Sequence, residues 1–179
     1  MKVGLFCSAR ADLDRAWIDD AARLGQFIGA NRWTLVYGGV NMGLMKVAAE
    51  AVRAAGGRTV GVVPIRRRKA QDERNDVNIR VNNLEQRKET FSRLCDLFVV
   101  LPGGYGTLDE LVSTLASINF NQTQKKIVIL NSEGLFDPLR EQFYRMIEHG
   151  LMEPAVLKAL TFTGSIENLI EILKTYGEK

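Results

Sequence analysis

The chain has 179 residues, is 46% hydrophobic and 25% charged, and carries a formal net charge of +3, which suits one globular domain over residues 1–179 with no room for a second of full size. The small, scattered positive charge excludes the electrostatic footprint of a nucleic-acid-binding protein while suiting an anionic metabolite. Cys7 and Cys95 are too few for a disulfide framework and read as buried thiols, no metal-ligand cluster stands out, and no apolar run approaches the roughly 18 residues of a membrane span, so the expected address is the cytoplasm.

Strand and helix patterns alternate along the chain. Val3 to Cys7 is a short apolar run, and Trp17, Ala21, Leu24 and Ile28 recur at helical spacing between about Asp12 and Ala30. Thr34 to Tyr37 is a second strand, broken by Gly38-Gly39, and a helix from about Leu44 to Ala55 stops at Gly56-Gly57. Thr59 to Val63 is a third strand, closed by Pro64. Ile65 to Asp76, IRRRKAQDERND, shows no apolar periodicity and reads as a mobile surface loop, with Asn78 to Val81 as a short extended piece. A helix from Leu84 to Leu94 then leads into the apolar run Leu97 to Leu101, a glycine-rich turn, and a helix reaching Phe120. Ile127 to Leu130 and Leu160 to Phe162 are further strands, and Pro138 to His149 and Ile166 to Tyr176 further helices. Repeated βα units with apolar strands predict an α/β, Rossmann-like domain: a parallel sheet with helices on both faces.

In such sheets ligands bind beyond the carboxyl ends of the strands. Two glycine-rich turns fall there, YGGVNMG at Tyr37 to Gly43 and GGYGT at Gly103 to Thr107. Glycine lets a backbone approach a ligand closely, and the free amides of a helix start favour phosphate, to which Thr107 adds a hydroxyl. Neither turn carries the terminal GK[ST] of a P-loop or the spacing of GxGxxG, which argues against an ATPase or a dehydrogenase. Asp109 and Glu110 lie in the first turn of the following helix, where a carboxylate either stabilises the helix dipole or meets a sugar attached to a bound phosphate. Arg87 and Lys88 lie early in the preceding helix and are carried toward the same place. His149, the one histidine, sits at a helix end and reads as a cap. The run Arg66-Arg67-Arg68-Lys69 reads as a solvated loop or a lid over an anion. Leu108, Leu111, Val112, Leu115 and Ile118 form an apolar stripe suited to the core or to a subunit contact.

The pair Arg87-Lys88 followed by PGGYGTLDE at Pro102 to Glu110 resembles the RK and PGGxGTxxE signature of the Lonely Guy (LOG) family. These are cytokinin riboside 5′-monophosphate phosphoribohydrolases, often labelled lysine decarboxylases. The likeness extends through FCSAR, LVYGGVNMGLM at Leu35 to Met45, GVVP at Gly61 to Pro64 and LNSEGLFDPL at Leu130 to Leu139. It implies hydrolysis of the bond between an adenine-type base and ribose 5-monophosphate, the step that activates cytokinins, without metal or cofactor. Arg87 and Glu110 would be catalytic. Lys88, Gly103, Gly104, Tyr105, Gly106, Thr107 and Asp109, with Gly38 and Gly39 of the first turn, would bind the nucleotide. It also implies a homodimer. The chain departs from the family at Leu84, where a Met is common, at Ala116-Ser117, where Thr-Trp is common, and at Lys46, where a Gly is common. These departures bear on base selectivity. The alternative is a non-catalytic nucleotide-binding or carrier protein of the same fold.

Overall fold

The computed structural model describes residues 1–177, without the side chains of Arg67, Arg68 and Lys69. Its strands are β1 (Lys2–Phe6), β2 (Thr34–Tyr37), β3 (Arg58–Pro64), β4 (Val77–Val81), β5 (Leu97–Val100), β6 (Ile127–Leu130) and β7 (Leu160–Thr163). Its α-helices are α1 (Arg15–Ala30), α2 (Gly43–Ala54), α3 (Leu84–Leu94), α4 (Tyr105–Phe120), α5 (Asp137–Glu148) and α6 (Ile166–Gly177). The strands form one seven-stranded sheet in the order β4-β3-β2-β1-β5-β6-β7, with every pairing parallel. No helix among the described residues is long and apolar enough to cross a membrane.

The hydrophobic pattern explains the layers. Strands β1, β5 and β6 are buried along nearly their whole length, as a parallel strand covered on both faces must be. On one face, Leu24 and Ile28 of α1, Leu44, Ala48 and Val52 of α2, and Leu169 and Leu173 of α6 pack on the sheet. On the other, Phe91 of α3, Leu111, Leu115 and Ile118 of α4, and Phe143 of α5 do the same. Leu108 is half-buried and Val112 exposed, so the predicted α4 stripe divides between core and surface. The chain runs from β1 outward to β4 with its connecting helices on one face, returns through α3 on the opposite face to β5, and continues outward to β7. The reversal falls between β1 and β5, the switch point at which a crevice opens beyond the strand ends.

Helix starts are decided locally. Asp14 caps α1 by accepting from the amide of Ala16 at 2.8 Å, so the helix begins three residues later than the periodicity suggested. Asn83 caps α3 by accepting from the amide of Gln86 at 2.8 Å, and the Gln86 side chain reaches back to the amide of Asn82 at 2.8 Å. By contrast, α2 and α4, the helices that open from the glycine turns, have no side-chain cap. Both cysteines are free and buried, as expected, and His149 is the C-cap residue of α5.

The segment 65–76 departs from its prediction as a mobile loop. Ile65–Ala70 is a 3-10 helix, and the residues after it are among the most thoroughly bonded polar groups of the molecule. The Asp72 carboxylate is buried and accepts from Arg53 Nη2 at 3.1 Å, and from Arg74 Nε at 2.9 Å, Nη2 at 3.3 Å and backbone amide at 3.1 Å. Burial acts to raise its pKa, but the Arg74 hydrogen bonds and the charges of Arg53 and Arg74 outweigh that and hold it below the ordinary value. Asp76 accepts from the amide of Thr59 at 2.8 Å and so fastens the far end to β3. Hydrophobic periodicity could not show this order, because polar side chains supply it. The side chains of Arg67, Arg68 and Lys69, read as part of a solvated run or lid, lie outside the described residues.

Helices α1 and α2 cross closely enough that a Cβ on Gly29 would stand 2.5 Å from the carbonyl oxygen of Val52 and 2.6 Å from Ala55 Cβ. Alanine in place of glycine gains about 1 kcal/mol in helix propensity, whereas overpacking against a backbone carbonyl costs about 1–3 kcal/mol. Gly29→Ala is therefore expected to lose up to about 2 kcal/mol net, read as a lower midpoint in urea unfolding; a gain in stability would show that the two helices can separate.

Candidate active site

Three chain segments meet beyond the ends of β2, β1 and β5. The first glycine turn follows β2, the residues Cys7 to Arg10 follow β1, and the second glycine turn follows β5. Ser8 ties them together: its amide donates to the carbonyl of Pro102 at 3.0 Å, and its own carbonyl accepts from the amide of Leu44 at 3.0 Å. In the sequence Ser8 is marked only by its place in FCSAR. Its position directly after the first strand was the signal that could have singled it out.

The two glycine turns differ in what surrounds them. Gly38 and Gly39 are enclosed by protein. A Cβ on Gly38 would lie 2.6 Å from Arg87 Nη2 and 2.8 Å from Met45 Sδ, and Gly39, at φ +72°, presses on Val63 and Gly61. In the second turn a Cβ on Gly104 or Gly106 would meet nothing within 4 Å. Those glycines leave the chain bare toward open space, at the start of an uncapped helix whose first amides lack carbonyl partners one turn back. That arrangement favours an anion. The helix begins at Tyr105, inside the sequence read as a loop, because the amides of Thr107 and Leu108 both bond to the carbonyl of Gly104. Thr107 is buried with its hydroxyl against Gly103, while Tyr105 stands almost fully exposed.

The earlier helix start also moves Glu110. It lies in the second turn of α4, not the first, so the reading of a plain N-terminal charge loses its basis. Arg87 Nη2 of α3 stands 2.8 Å from Glu110 Oε1, with only 16% and 11% of the two side chains exposed. The Arg87 guanidinium also lies 5.7 Å over the ring of Phe91, and Phe91 packs edge-on to Phe6 of β1. Nε of Arg87 is buried with no hydrogen-bond partner among the described residues. Burial pushes the Glu110 carboxyl up to about 7; Arg87 and Lys88 pull it down, and Asp109 pushes it further up. A carboxyl poised there changes protonation at neutral pH, as an acid or base in a reaction must. Cys7, beside this pair, is different. Burial first and the Glu110 charge second push its thiol up, so it stays a thiol and not a nucleophile.

Lys88 and Asp109 do not stand apart along the crevice but pair with each other, Nζ to Oδ1 at 3.0 Å and to Oδ2 at 3.2 Å, with Ser113 Oγ at 3.2 Å. They join α3 to α4 next to the Arg87–Glu110 pair. Of the positions that depart from the family pattern, Leu84 is half-exposed at the start of α3, Lys46 is exposed on α2, and Ala116 is exposed on α4. The Ser117 hydroxyl bonds that of Ser92 at 3.1 Å, at the side of a polar groove of about 300 Å³ between α3 and α4.

The matches with known proteins agree with this geometry. The family model described as possible lysine decarboxylase matches residues 45–173. A cytokinin riboside 5′-monophosphate phosphoribohydrolase of Mycobacterium tuberculosis is 32% identical over 170 residues, which are 94% of this chain and 90% of that one. The chain belongs to the Lonely Guy family. A probable member from Oryza sativa subsp. japonica is 32% identical over 178 residues, 98% of this chain and 73% of its own. The fold of this Lonely Guy protein is shared by the molybdenum cofactor binding protein from Rippkaea orientalis, with a TM-score of 0.73 and 23% identity over 98% of this chain and 96% of that one. The molybdenum cofactor carrier protein of Chlamydomonas reinhardtii gives a TM-score of 0.73 and 22% identity over 99% and 98%. At these identities the likeness is one of fold.

The raised Glu110 carboxyl has a consequence for stability. Between its ordinary value of 4.5 and about 7 the folded chain holds a proton that the unfolded chain has released. This contribution is therefore complete below pH 4.5 and is lost as the pH rises through 7. At 1.36 kcal/mol per unit the loss is on the order of 3 kcal/mol. Glu110→Gln is expected to stay folded and to be more stable than the parent at pH 8 but not at pH 4, measured by urea unfolding; an equal difference at both would refute the raised value.

Proposed function

We propose that the protein hydrolyses the N-glycosidic bond of nucleoside 5′-monophosphates with adenine-type bases, AMP or N6-substituted AMP such as cytokinin nucleotides, releasing free base and ribose 5-phosphate. The observation that carries this reading is the buried Arg87–Glu110 pair at the switch point, next to an uncapped helix start with two open glycines. The Lonely Guy membership and the names of the relatives from Mycobacterium tuberculosis and Oryza sativa support it.

In this reading the phosphate lies against the backbone of Gly103, Gly104, Tyr105, Gly106 and Thr107, and the ribose faces Glu110. As the bond to the base lengthens, positive charge grows on the ribose, and the Glu110 carboxylate stabilises it. Glu110 takes a proton from the water that adds to the anomeric carbon, and a proton is returned to the departing base nitrogen, so the bond electrons leave with the base. Arg87 favours the ionised carboxylate and orients it. Lys88 and Asp109 brace α3 against α4 beside the nucleotide, and Gly38 and Gly39 form the wall behind Arg87. The unit is proposed to be the whole of residues 1–179, to act in the cytoplasm, and to form a homodimer through the flank of α4 that exposes Tyr105, Val112 and Phe120.

The deciding experiment follows release of base and ribose 5-phosphate from AMP, isopentenyl-AMP, the corresponding riboside and the triphosphate. Turnover of monophosphates alone is expected; tight AMP binding with no cleavage would favour the carrier reading instead. Because Glu110 must be ionised, kcat/KM should climb with pH and level off above about 7, falling roughly 100-fold at two units below. Glu110→Gln and Arg87→Ala are each expected to lose about 100-fold or more in kcat while remaining folded by circular dichroism, and wild-type turnover in either would remove the role assigned to it.

A further inference from the structure

The segment 65–76 lies over the first glycine turn and is bonded to Tyr37, Gly39, Val40 and Asn41 of it. The Tyr37 hydroxyl donates to Asn75 Oδ1 at 2.8 Å. The carbonyl of Gly39 accepts from the amide of Asp72 at 2.7 Å. Val40 forms an antiparallel bridge with Gln71. The amide of Asn41 donates to the carbonyl of Ala70 at 3.1 Å, and its side-chain oxygen accepts from Arg74 Nη2 at 2.7 Å. Between Tyr37 and Asn41 only Gly38 has no such tie among the described residues, and Gly38 is the residue against which the Arg87 guanidinium rests.

Asp72 is the centre of this strap. Its carboxylate, 1% exposed, gathers Arg53 of α2 and Arg74, and Arg74 reaches on to Glu50 of α2 at 2.8 Å. The strap, the glycine turn and α2 are thus joined through one buried charge. A charge-assisted network of this kind is directional, so it restrains where the turn lies and not merely that it is covered. We propose that Asp72 is a positioning residue for the Arg87–Glu110 pair: by fixing the strap on the Gly38 to Asn41 turn it sets the wall that presents Arg87 to Glu110. The proposal concerns the same site as the proposed hydrolase activity and rests on that reading for its kinetic consequences, but not for its structural one.

Asp72 touches neither Arg87 nor Glu110, so its effect must pass through the turn. The charged and titratable groups acting on Glu110 are Arg87 and Lys88 from α3, Asp109 from α4 and Cys7 from the end of β1. Asp72 is not among them. A change in the Glu110 titration on altering Asp72 therefore reports displacement of Arg87. Asp72→Asn keeps the shape and the backbone amide to Gly39 while removing the charge that holds Arg53 and Arg74.

The test compares wild type and Asp72→Asn by the side-chain carboxyl carbon resonance of Glu110 across pH, alongside steady-state kinetics with AMP well below either melting temperature. The Glu110 midpoint is expected to rise by about half a unit or more, because Arg87 is the main influence lowering it. At pH 7, kcat should fall about twofold for a half-unit rise and about fivefold for a full unit, with KM changed less than twofold and kcat largely recovered at pH 9. A folded Asp72→Asn protein with an unmoved Glu110 midpoint overturns the proposal, even if its stability is lower. If Asp72→Asn does not fold, Arg74→Gln, at a half-exposed residue that leaves the Arg53–Asp72 pair in place, must move the midpoint in the same direction, and its failure to do so overturns the proposal equally. A midpoint moved by Asp72→Asn, where the wild type cleaves no monophosphate, supports the positioning role and refutes the hydrolase reading.

Discussion

The site depends on one ion pair between two helices. Glu110 is buried on α4, where its carboxyl resists ionisation, and Arg87 on α3 is the main group that counters this. Neither helix can make the pair alone. Helix α3 leads into β5 and α4 leaves it, so the pair forms only when both are docked on the same face of the sheet. Arg87 is held from beneath. Phe91, one turn after Arg87, supports the guanidinium and packs on Phe6, which itself stacks on Phe98 at 5.5 Å between ring centres. The cap formed by Asn83 and Gln86 then settles which residues of α3 face the crevice.

The crevice in turn follows from sheet topology. Because β1 lies between β2 and β5, the two glycine turns that follow those flanking strands come within reach of one residue, Ser8, which bonds to both sides. The turns have separate tasks. In the first, small residues are required because protein presses on them, and Arg87 occupies the space a side chain would take at Gly38. In the second, Gly104 and Gly106 are small with nothing pressing on them, which is what the approach of a ligand to bare amides requires.

Much of this was legible in the sequence for a physical reason. The strands are nearly continuous apolar runs and the helices have regular apolar spacing, so the α/β class and the placing of both glycine turns follow from local patterns. Glu110 and Arg87 stood out because the signature and the RK pair flank the strand that joins them. What failed was whatever depends on polar contacts between distant residues. Residues 65–76 have the composition of a loop, and their order comes from Arg53, Thr59, Tyr37 and Asn41, none adjacent in the chain. The start of α4 was misplaced for a related reason: Tyr105-Gly106 is a poor helix opening by propensity, and only the bonds to the Gly104 carbonyl decide it.

Two buried carboxylates, Asp72 and Glu110, show how the same fold uses one chemical group in opposite ways. Both are nearly inaccessible, and burial is the largest influence on each. Asp72 receives hydrogen bonds from two arginine side chains and from the amide of Arg74, and these outweigh burial, so its carboxyl is held below the ordinary carboxylate range and serves as a fixed point. Glu110 has one arginine, whose other contacts are an aromatic ring and a glycine turn, and burial outweighs it. A carboxylate satisfied as fully as Asp72 has no spare basicity, whereas one left short of partners keeps its proton equilibrium near neutrality and can exchange it with a substrate. Full satisfaction suits the strap and partial satisfaction suits the site, and the distance between the two conditions is three hydrogen-bond donors.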